Sequence, residues 1–309
     1  MRFLTFFALT LFSFALSLPA FSKPVTTPVT TATPTPLIWD YQTYLKAFKA
    51  SGRKSRLTDK KFDHIEVKRQ AALDNVKSYM MDRAGEMNED ILKAFSEVPR
   101  EYFHYDYQKE MAFSASSYDW PARPWAIGYG SALSDYPGQV YMIQLAQPEP
   151  TDTVLEIGTG SGYNIALLSR LVKEAYSIEI IKPLGTKVAN IFKPLGYNNV
   201  HTKVGDGYYG WDSVKGGFDI IIVTCAAQFV PPALLKQLKP HGRMVIPIGQ
   251  PFRGQQVLYV YTKDSQGKVH CRKDVGVFFI PMTGKMQKES KPGDPQAVPT
   301  VETASESDQ

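Results

Sequence analysis

The chain has 309 residues, 43% of them hydrophobic and 21% charged, with a net charge of +5. This is enough apolar material for one sizeable α/β domain with appendages, and so modest a positive charge does not by itself call for a nucleic-acid partner. No Cys/His spacing resembles a metal site, so no metal is expected, and no stretch beyond the N-terminus reaches the ~20 apolar residues of a membrane span.

Met1-Arg2 precedes an apolar run from Phe3 to Leu18, and Ala20-Phe21-Ser22 places small residues where a signal peptidase reads. Residues 1–22 therefore predict a secretory signal peptide, and with it an exported, periplasmic or secreted protein. If the run is an uncleaved anchor or follows a start placed too far upstream, that expectation falls, and the protein is cytoplasmic in the latter case. Residues 23–37 are almost all Pro, Thr and Val and predict an extended linker. The extension 38–79 carries Trp39, Tyr41, Tyr44 and Phe48, then Lys49, Arg53, Lys54, Arg56, Lys60 and Lys61. The interrupted charge run reads as a solvated face with aromatics packed on the main domain, in preference to a patch for acidic partners. Helical spacing runs from Arg69 to Phe95, with Asn88-Glu89-Asp90 as a helix start. An aromatic, proline-broken stretch then leads to Trp125.

From Val154 onward, strands and helices alternate. A first strand starting at Val154 is expected to end in the carboxylate of Glu156. Further strands are expected at 175–179, 200–204, 218–226, 244–248, 257–261 and 275–280, and helices follow Gly162 and cover 183–192 and 231–238. Alternation of this kind implies an α/β fold, a mainly parallel twisted sheet with helices on both faces. The last strands lack an intervening helix and predict an antiparallel edge hairpin. The polar segment 286–309 predicts a disordered tail. Cys225 and Cys271 are expected to be buried, unpaired thiols.

The run Val154-Leu155-Glu156-Ile157-Gly158-Thr159-Gly160-Ser161-Gly162-Tyr163 carries the chemistry. Glycine lets the backbone turn sharply and lets a ligand approach where a Cβ would intrude. A strand–loop–helix corner of this kind binds nucleotides in open α/β sheets. The dinucleotide fingerprint needs glycine at position 163, where this chain has tyrosine. The G-x-G-x-G spacing after a carboxylate suits S-adenosylmethionine better than NAD. Glu179 at the end of the second strand is placed to accept from ribose hydroxyls. Asp206, between Gly205 and Gly207, is placed to accept from an adenine amino group. The expected cofactor set is Glu156, Gly158, Thr159, Gly160, Gly162, Glu179, Asp206 and Gly207.

These motifs belong to a longer series: Val98-Pro99-Arg100-Glu101-x-Phe103, Ile127-Gly128-x-Gly130, the glycine loop, Gly205-Asp206-Gly207 with Gly210-Trp211, Phe218 to Thr224, Gly242 to Gly249, and Phe279-Ile280-Pro281-Met282. With this series the chain resembles the bacterial protein-L-isoaspartate O-methyltransferases from about Arg69 to Lys285. The resemblance implies a Rossmann-like, S-adenosylmethionine-dependent enzyme that methylates the free α-carboxylate of isoaspartyl residues in damaged proteins. Its partners would be protein or peptide substrates bearing isoaspartate, not nucleic acid. In the family a Gly-x-x-Ile-Ser segment places a hydroxyl against the substrate carboxylate, so the resemblance assigns that role to Ser134 in Gly130-Ser131-Ala132-Leu133-Ser134. Ala132 stands where threonine is usual, one extra residue precedes Pro137, and the lead-in from Phe103 to Trp125 is longer and more aromatic. The methyltransferase domain is expected over 80–285, as a monomer with no stable membrane insertion once the signal is removed. The alternatives are an exported protein of the same fold with a different substrate, its pocket shaped by Phe113, Tyr118, Trp120, Trp125 and Tyr129, and a non-catalytic ligand-binding envelope protein. A nicotinamide oxidoreductase is disfavoured by Tyr163.

Overall fold

The computed structural model describes residues 39–250 and 256–289. The expected signal peptide and linker lie outside the described residues, as does the tail from 290 onward. Helices α1 (Tyr41–Ala50), α2 (Asp59–Ala84), α3 (Glu89–Glu97) and the short α4 (Arg100–Phe103) come first. Two small hairpins follow, β1 (Tyr105–Asp106) with β2 (Met111–Ala112) and β3 (Trp125–Gly128) with β4 (Ser131–Leu133), then α5 (Tyr136–Ala146). The alternating half runs β5 (Thr153–Ile157), α6 (Tyr163–Ser169), β6 (Glu174–Glu179), α7 (Lys182–Val188), β7 (Val200–Val204), β8 (Phe218–Val223) and α8 (Pro232–Gln237). It closes with β9 (Leu238–Ile248), β10 (Gln256–Lys263), β11 (Val269–Val277) and α9 (Lys285–Glu289).

The main sheet has the order β11-β10-β9-β8-β5-β6-β7. Strands β9, β8, β5, β6 and β7 pair in parallel, while β10 pairs antiparallel with both β9 and β11. This is the expected mainly parallel α/β sheet with an antiparallel edge hairpin. Central strands buried on both faces read as continuous apolar runs, and Phe218-Asp219-Ile220-Ile221-Ile222-Val223 is one. Alternation along the strand sends Ile220 and Ile222 to one core layer and Ile221 and Val223 to the other.

Local signals account for several boundaries. Asn88 caps α3 by accepting from the amides of Asp90 and Ile91, as its sequence position predicts. The helical stretch expected over 69–95 is two helices, because Gly85 ends α2 in the left-handed region at φ 72°. The final strand lies earlier than expected, at 269–277, where its register against β10 runs from Lys263↔Val269 to Gln256↔Val277. Lys285–Glu289, placed in the expected polar tail, forms helix α9 with Met286 buried against the sheet, so order extends past the predicted boundary. Cys225 and Cys271 are unpaired, as expected, but half-buried where full burial was expected.

The extension packs on the main domain. Tyr44, Phe48, Phe62 and Ile65 are buried in its core, while Lys49, Lys54, Arg56, Lys60 and Lys61 are exposed. Arg53 differs from its basic neighbours: its guanidinium carbon sits 4.4 Å from the Phe48 ring and 4.2 Å from the Tyr102 ring, a desolvated cation–π arrangement. The strongest tie is Glu101, fully buried, which accepts from the indole of Trp39 (2.6 Å), the hydroxyl of Tyr118 (2.9 Å) and the guanidinium of Arg69. Removing one partner of a buried ion pair leaves an uncompensated charge and costs about 3 kcal/mol or more. Glu101→Ala is therefore expected to lower unfolding stability by about 3 kcal/mol in urea denaturation, and a loss below 1 kcal/mol would show that water compensates Arg69.

Candidate functional site

The carboxyl ends of β5, β6 and β8 surround a cavity of about 460 Å³. That volume is within the range of ligand pockets. Its wall is built by the loop after β5 (Ile157, Gly158, Gly160), the end of β6 (Ile178, Glu179), Asp206 and Gly207 after β7, and Thr224 and Cys225 after β8. The β3–β4 turn contributes Gly130, and β4 contributes Ser131 and Ala132.

Backbone conformation explains the glycines. Gly158 has φ 100° and a Cβ there would lie 2.6 Å from Thr224 Oγ1. That hydroxyl donates to the carbonyls of Ile157 (3.0 Å) and Gly158 (2.8 Å), so the loop and the end of β8 are pinned together. A side chain at Gly158 would break this contact. Gly162 also has positive φ, but a Cβ there would meet Phe192, Val188 and Ile191. It is required for packing of α6 and does not line the cavity.

Glu179 accepts from the amide of Gly160 through Oε2 and from that of Ile181 through Oε1, both at 2.9 Å. A carboxylate has about four lone-pair positions, so acceptor capacity remains on the cavity side. Burial raises the pKa of its carboxyl, with the backbone amides of Ile181 and Gly160 opposing that shift. Asp206 caps the turn that follows it through the amide of Tyr208 (2.9 Å) and accepts from the amide of Lys285 (2.7 Å). The segment leading to α9 is tied to the end of β8: Ala226 donates to Ile280 and Met282 donates back to Ala226, each at 2.8 Å, and Met282 and Thr283 join the wall.

Of the expected cofactor residues, Gly158, Gly160, Glu179, Asp206 and Gly207 meet at this cavity, and Glu156, Thr159 and Gly162 do not line it. Period-2 alternation is the reason for Glu156: Ile157 lies on the cavity side, and its neighbour must face the other way. Glu156 is fully buried behind the loop, accepting from Asn164 Nδ2 (2.9 Å) and Ser177 Oγ (2.6 Å). Thr159 joins the same cluster through Ser177 Oγ at 2.7 Å. Ser134, half-buried just past β4, is outside the cavity wall and its carbonyl is held by Arg100 at 2.6 Å. Ser131 and Ala132 of β4 are lining residues that sequence reasoning missed. The Thr224-Cys225 step and the Ile280-Pro281-Met282 motif were visible in the sequence, but their convergence was not. Burial pushes the Cys225 thiol up to about 12, leaving it unreactive as a nucleophile.

Burial likewise pushes Glu156 up to about 8, with Ser177 and Asn164 opposing. For an acid whose folded value lies above its unfolded 4.5, the contribution to stability is complete below 4.5. It is lost as pH rises through 8, because only the unfolded state then ionises freely. Glu156→Gln keeps an acceptor for Asn164, can donate to the Ser177 hydroxyl in place of accepting from it, and cannot ionise. Its unfolding free energy is expected to fall less between pH 5 and pH 8 than the wild type's. Parallel slopes in denaturation at these pH values would mean that Glu156 is ionised throughout.

A family model described as protein-L-isoaspartate(D-aspartate) O-methyltransferase matches residues 70–287. Protein-L-isoaspartate O-methyltransferase 1 of Cupriavidus necator is 45% identical over 195 residues, 63% of this chain and 72% of that protein. A solved protein-L-isoaspartate O-methyltransferase superposes with TM-score 0.61 at 26% identity, covering 71% of this chain and 67% of its own. A Plasmodium falciparum structure, described as a candidate member of the same enzyme type in complex with S-adenosyl-L-homocysteine, gives TM-score 0.55 at 21% identity, covering 69% of this chain and 97% of that one, and supports the fold. With most of its length matched by the family model, and with the sheet, the glycine corner and the strand-end carboxylates all in place, the chain belongs to the protein-L-isoaspartate(D-aspartate) O-methyltransferase family.

Proposed function

We propose that this chain transfers a methyl group from S-adenosylmethionine to the free α-carboxylate of L-isoaspartyl residues in damaged proteins, as a repair enzyme. The observation that carries this reading is the glycine-loop cavity in a chain of this family. The loop at Gly158, held against Thr224 in a packing that leaves no room for a Cβ, lines the cavity beside a carboxylate at Glu179 and a second at Asp206. The donor set fits the cofactor: a carboxylate acceptor for vicinal hydroxyls, an acceptor for an exocyclic amine, and apolar walls from Ile157, Ile178, Ile180 and Met282 for a flat ring.

When bound, the cofactor supplies an electrophilic methyl group on a sulfonium. The substrate's α-carboxylate, with an ordinary pKa near ~3.5, is ionised at neutral pH and needs no general base. The task of the chain is therefore positioning, which contributes several kcal/mol when reacting groups are held in line. In this reading Gly158 and Gly160 admit the cofactor to the main chain, and Glu179, Asp206 and Gly207 orient its nucleoside. Glu156 and Thr159 hold the loop from behind, Gly162 seats α6, and Ser134 orients the substrate carboxylate. Residues 1–22 direct export, so the mature protein starts at Lys23 and acts in the periplasm or outside the cell. N-terminal sequencing of the exported protein is expected to begin at Lys23, and an intact Met1 in the cytosol would overturn this part.

The purified mature chain, given tritiated S-adenosylmethionine and paired peptides differing only in isoaspartyl or aspartyl linkage, is expected to transfer base-labile methyl to the isoaspartyl peptide alone. Tight cofactor binding without transfer would point to another substrate, and absence of binding to a non-catalytic protein. Glu179→Ala is expected to weaken cofactor binding by more than about tenfold, because a desolvated acceptor is lost; unchanged affinity by calorimetry would remove Glu179 from the site. Ser134→Ala should lower turnover with cofactor affinity nearly intact, and a parallel fall of both would make Ser134 structural.

A further inference from the structure

Arg100 stands apart among the buried ions, because its guanidinium holds three separate pieces of chain at once. It is 1% exposed. Nη2 donates to the carbonyl of Ser134 (2.6 Å), Nη1 to Oε1 of Gln139 on α5 (2.7 Å), and Nε to the carbonyl of Ser117 in the aromatic lead-in (2.9 Å). Its own amide donates to the Tyr118 hydroxyl at 3.0 Å. The guanidinium carbon lies 4.8 Å from the ring of Tyr163, the first residue of α6 after the glycine loop, and 5.6 Å from that of Tyr136. One planar fork thus joins the lead-in, the Ser134 turn and α5, and rests on the helix that opens at the cofactor corner.

The Ser134 turn is otherwise lightly held. Ser134 follows β4, whose last residue Leu133 pairs with Trp125, and Asp135 caps α5 through the amide of Gly138 at 2.8 Å. Between these two anchors, the bond from Arg100 is the fixed polar contact on the Ser134 backbone.

We infer that Arg100 is the positioning residue of the substrate side, setting the Ser134 turn relative to the cofactor corner while touching neither substrate nor cofactor. This inference rests on the isoaspartyl methyltransferase reading. The guanidinium geometry is essential to it: five N–H donors in a rigid plane satisfy three acceptors in different directions, whereas the ammonium of lysine is a compact point charge on a flexible stem. Lysine would keep the buried charge and lose the shape.

The test uses the mature full-length chain and the isoaspartyl peptide. Arg100→Lys is expected to lower kcat/KM for the peptide by about tenfold or more, a misplacement effect. The affinity for S-adenosylhomocysteine by calorimetry should stay within about twofold, since the fork makes no hydrogen bond to a cavity-lining residue. In a Ser134→Ala background the same change should cost much less, because two residues acting through one element are not additive. If Arg100→Lys does not fold, Gln139→Ala removes one acceptor and should give a smaller loss of the same sign. Unchanged peptide kinetics, an equal fall in cofactor affinity, or full additivity with Ser134→Ala would each overturn the inference. A wild-type chain that binds cofactor but ignores the isoaspartyl peptide overturns the functional reading as well. An active wild type with an equally active Arg100→Lys overturns only the role of Arg100.

Discussion

The pair of hydrogen bonds from the amides of Gly160 and Ile181 to the Glu179 carboxylate is the contact on which the site depends. It fixes the glycine loop of one strand to the end of the next. Hydrogen bonds to an ionised group contribute about 2 kcal/mol each, and desolvation of the carboxylate makes them harder to replace with water. The same carboxylate then faces the cavity with acceptor positions to spare. A loop held in this way is preorganised: its geometry does not have to be formed when a ligand arrives.

Behind the loop, Glu156, Ser177, Thr159 and Asn164 form a buried polar cluster in which every side chain has a partner. A satisfied buried network specifies one arrangement, because any slip leaves a polar group unpaired in low dielectric. Thr224 does the equivalent from the β8 side by donating to the carbonyls at the end of β5. The cofactor corner is thus braced from both neighbouring strands. Positioning catalysis, in which an already ionised nucleophile needs alignment more than activation, makes this kind of bracing the main contribution of the protein.

The region around the Ser134 turn is assembled differently. It comes from elements preceding the sheet, short hairpins and turns with few ladder bonds, and it is held by buried ions: Glu101 to Arg69, Trp39 and Tyr118, and Arg100 to Ser117, Ser134 and Gln139. Adjacent residues of opposite charge thus anchor the N-terminal extension and the Ser134 turn respectively. This gives the extension, and the exposed basic residues it carries, a physical connection to the site without contact with it.

The sheet class, the antiparallel edge, the helix start at Asn88 and the five residues Gly158, Gly160, Glu179, Asp206 and Gly207 of the cavity were legible in the chain itself. Each depends on local periodicity or on a backbone conformation that only certain residues allow. Parallel pairing followed from alternation with helices, but the strand order, the length of β9, the register of β11 and the helix at Lys285–Glu289 did not, because cross-strand pairing and burial of Met286 decide them. Likewise, position at a strand end marked Glu156 as well as Glu179, yet only the tertiary arrangement shows that one faces the loop's far side and the other the cavity. The sequence by itself determined which residue types stand at the corner, since glycines and carboxylates are read locally. The tertiary structure alone decided which of them meet in space and that Arg100 grips the turn bearing Ser134, because those are contacts between segments whose separation along the chain has no periodicity to reveal it.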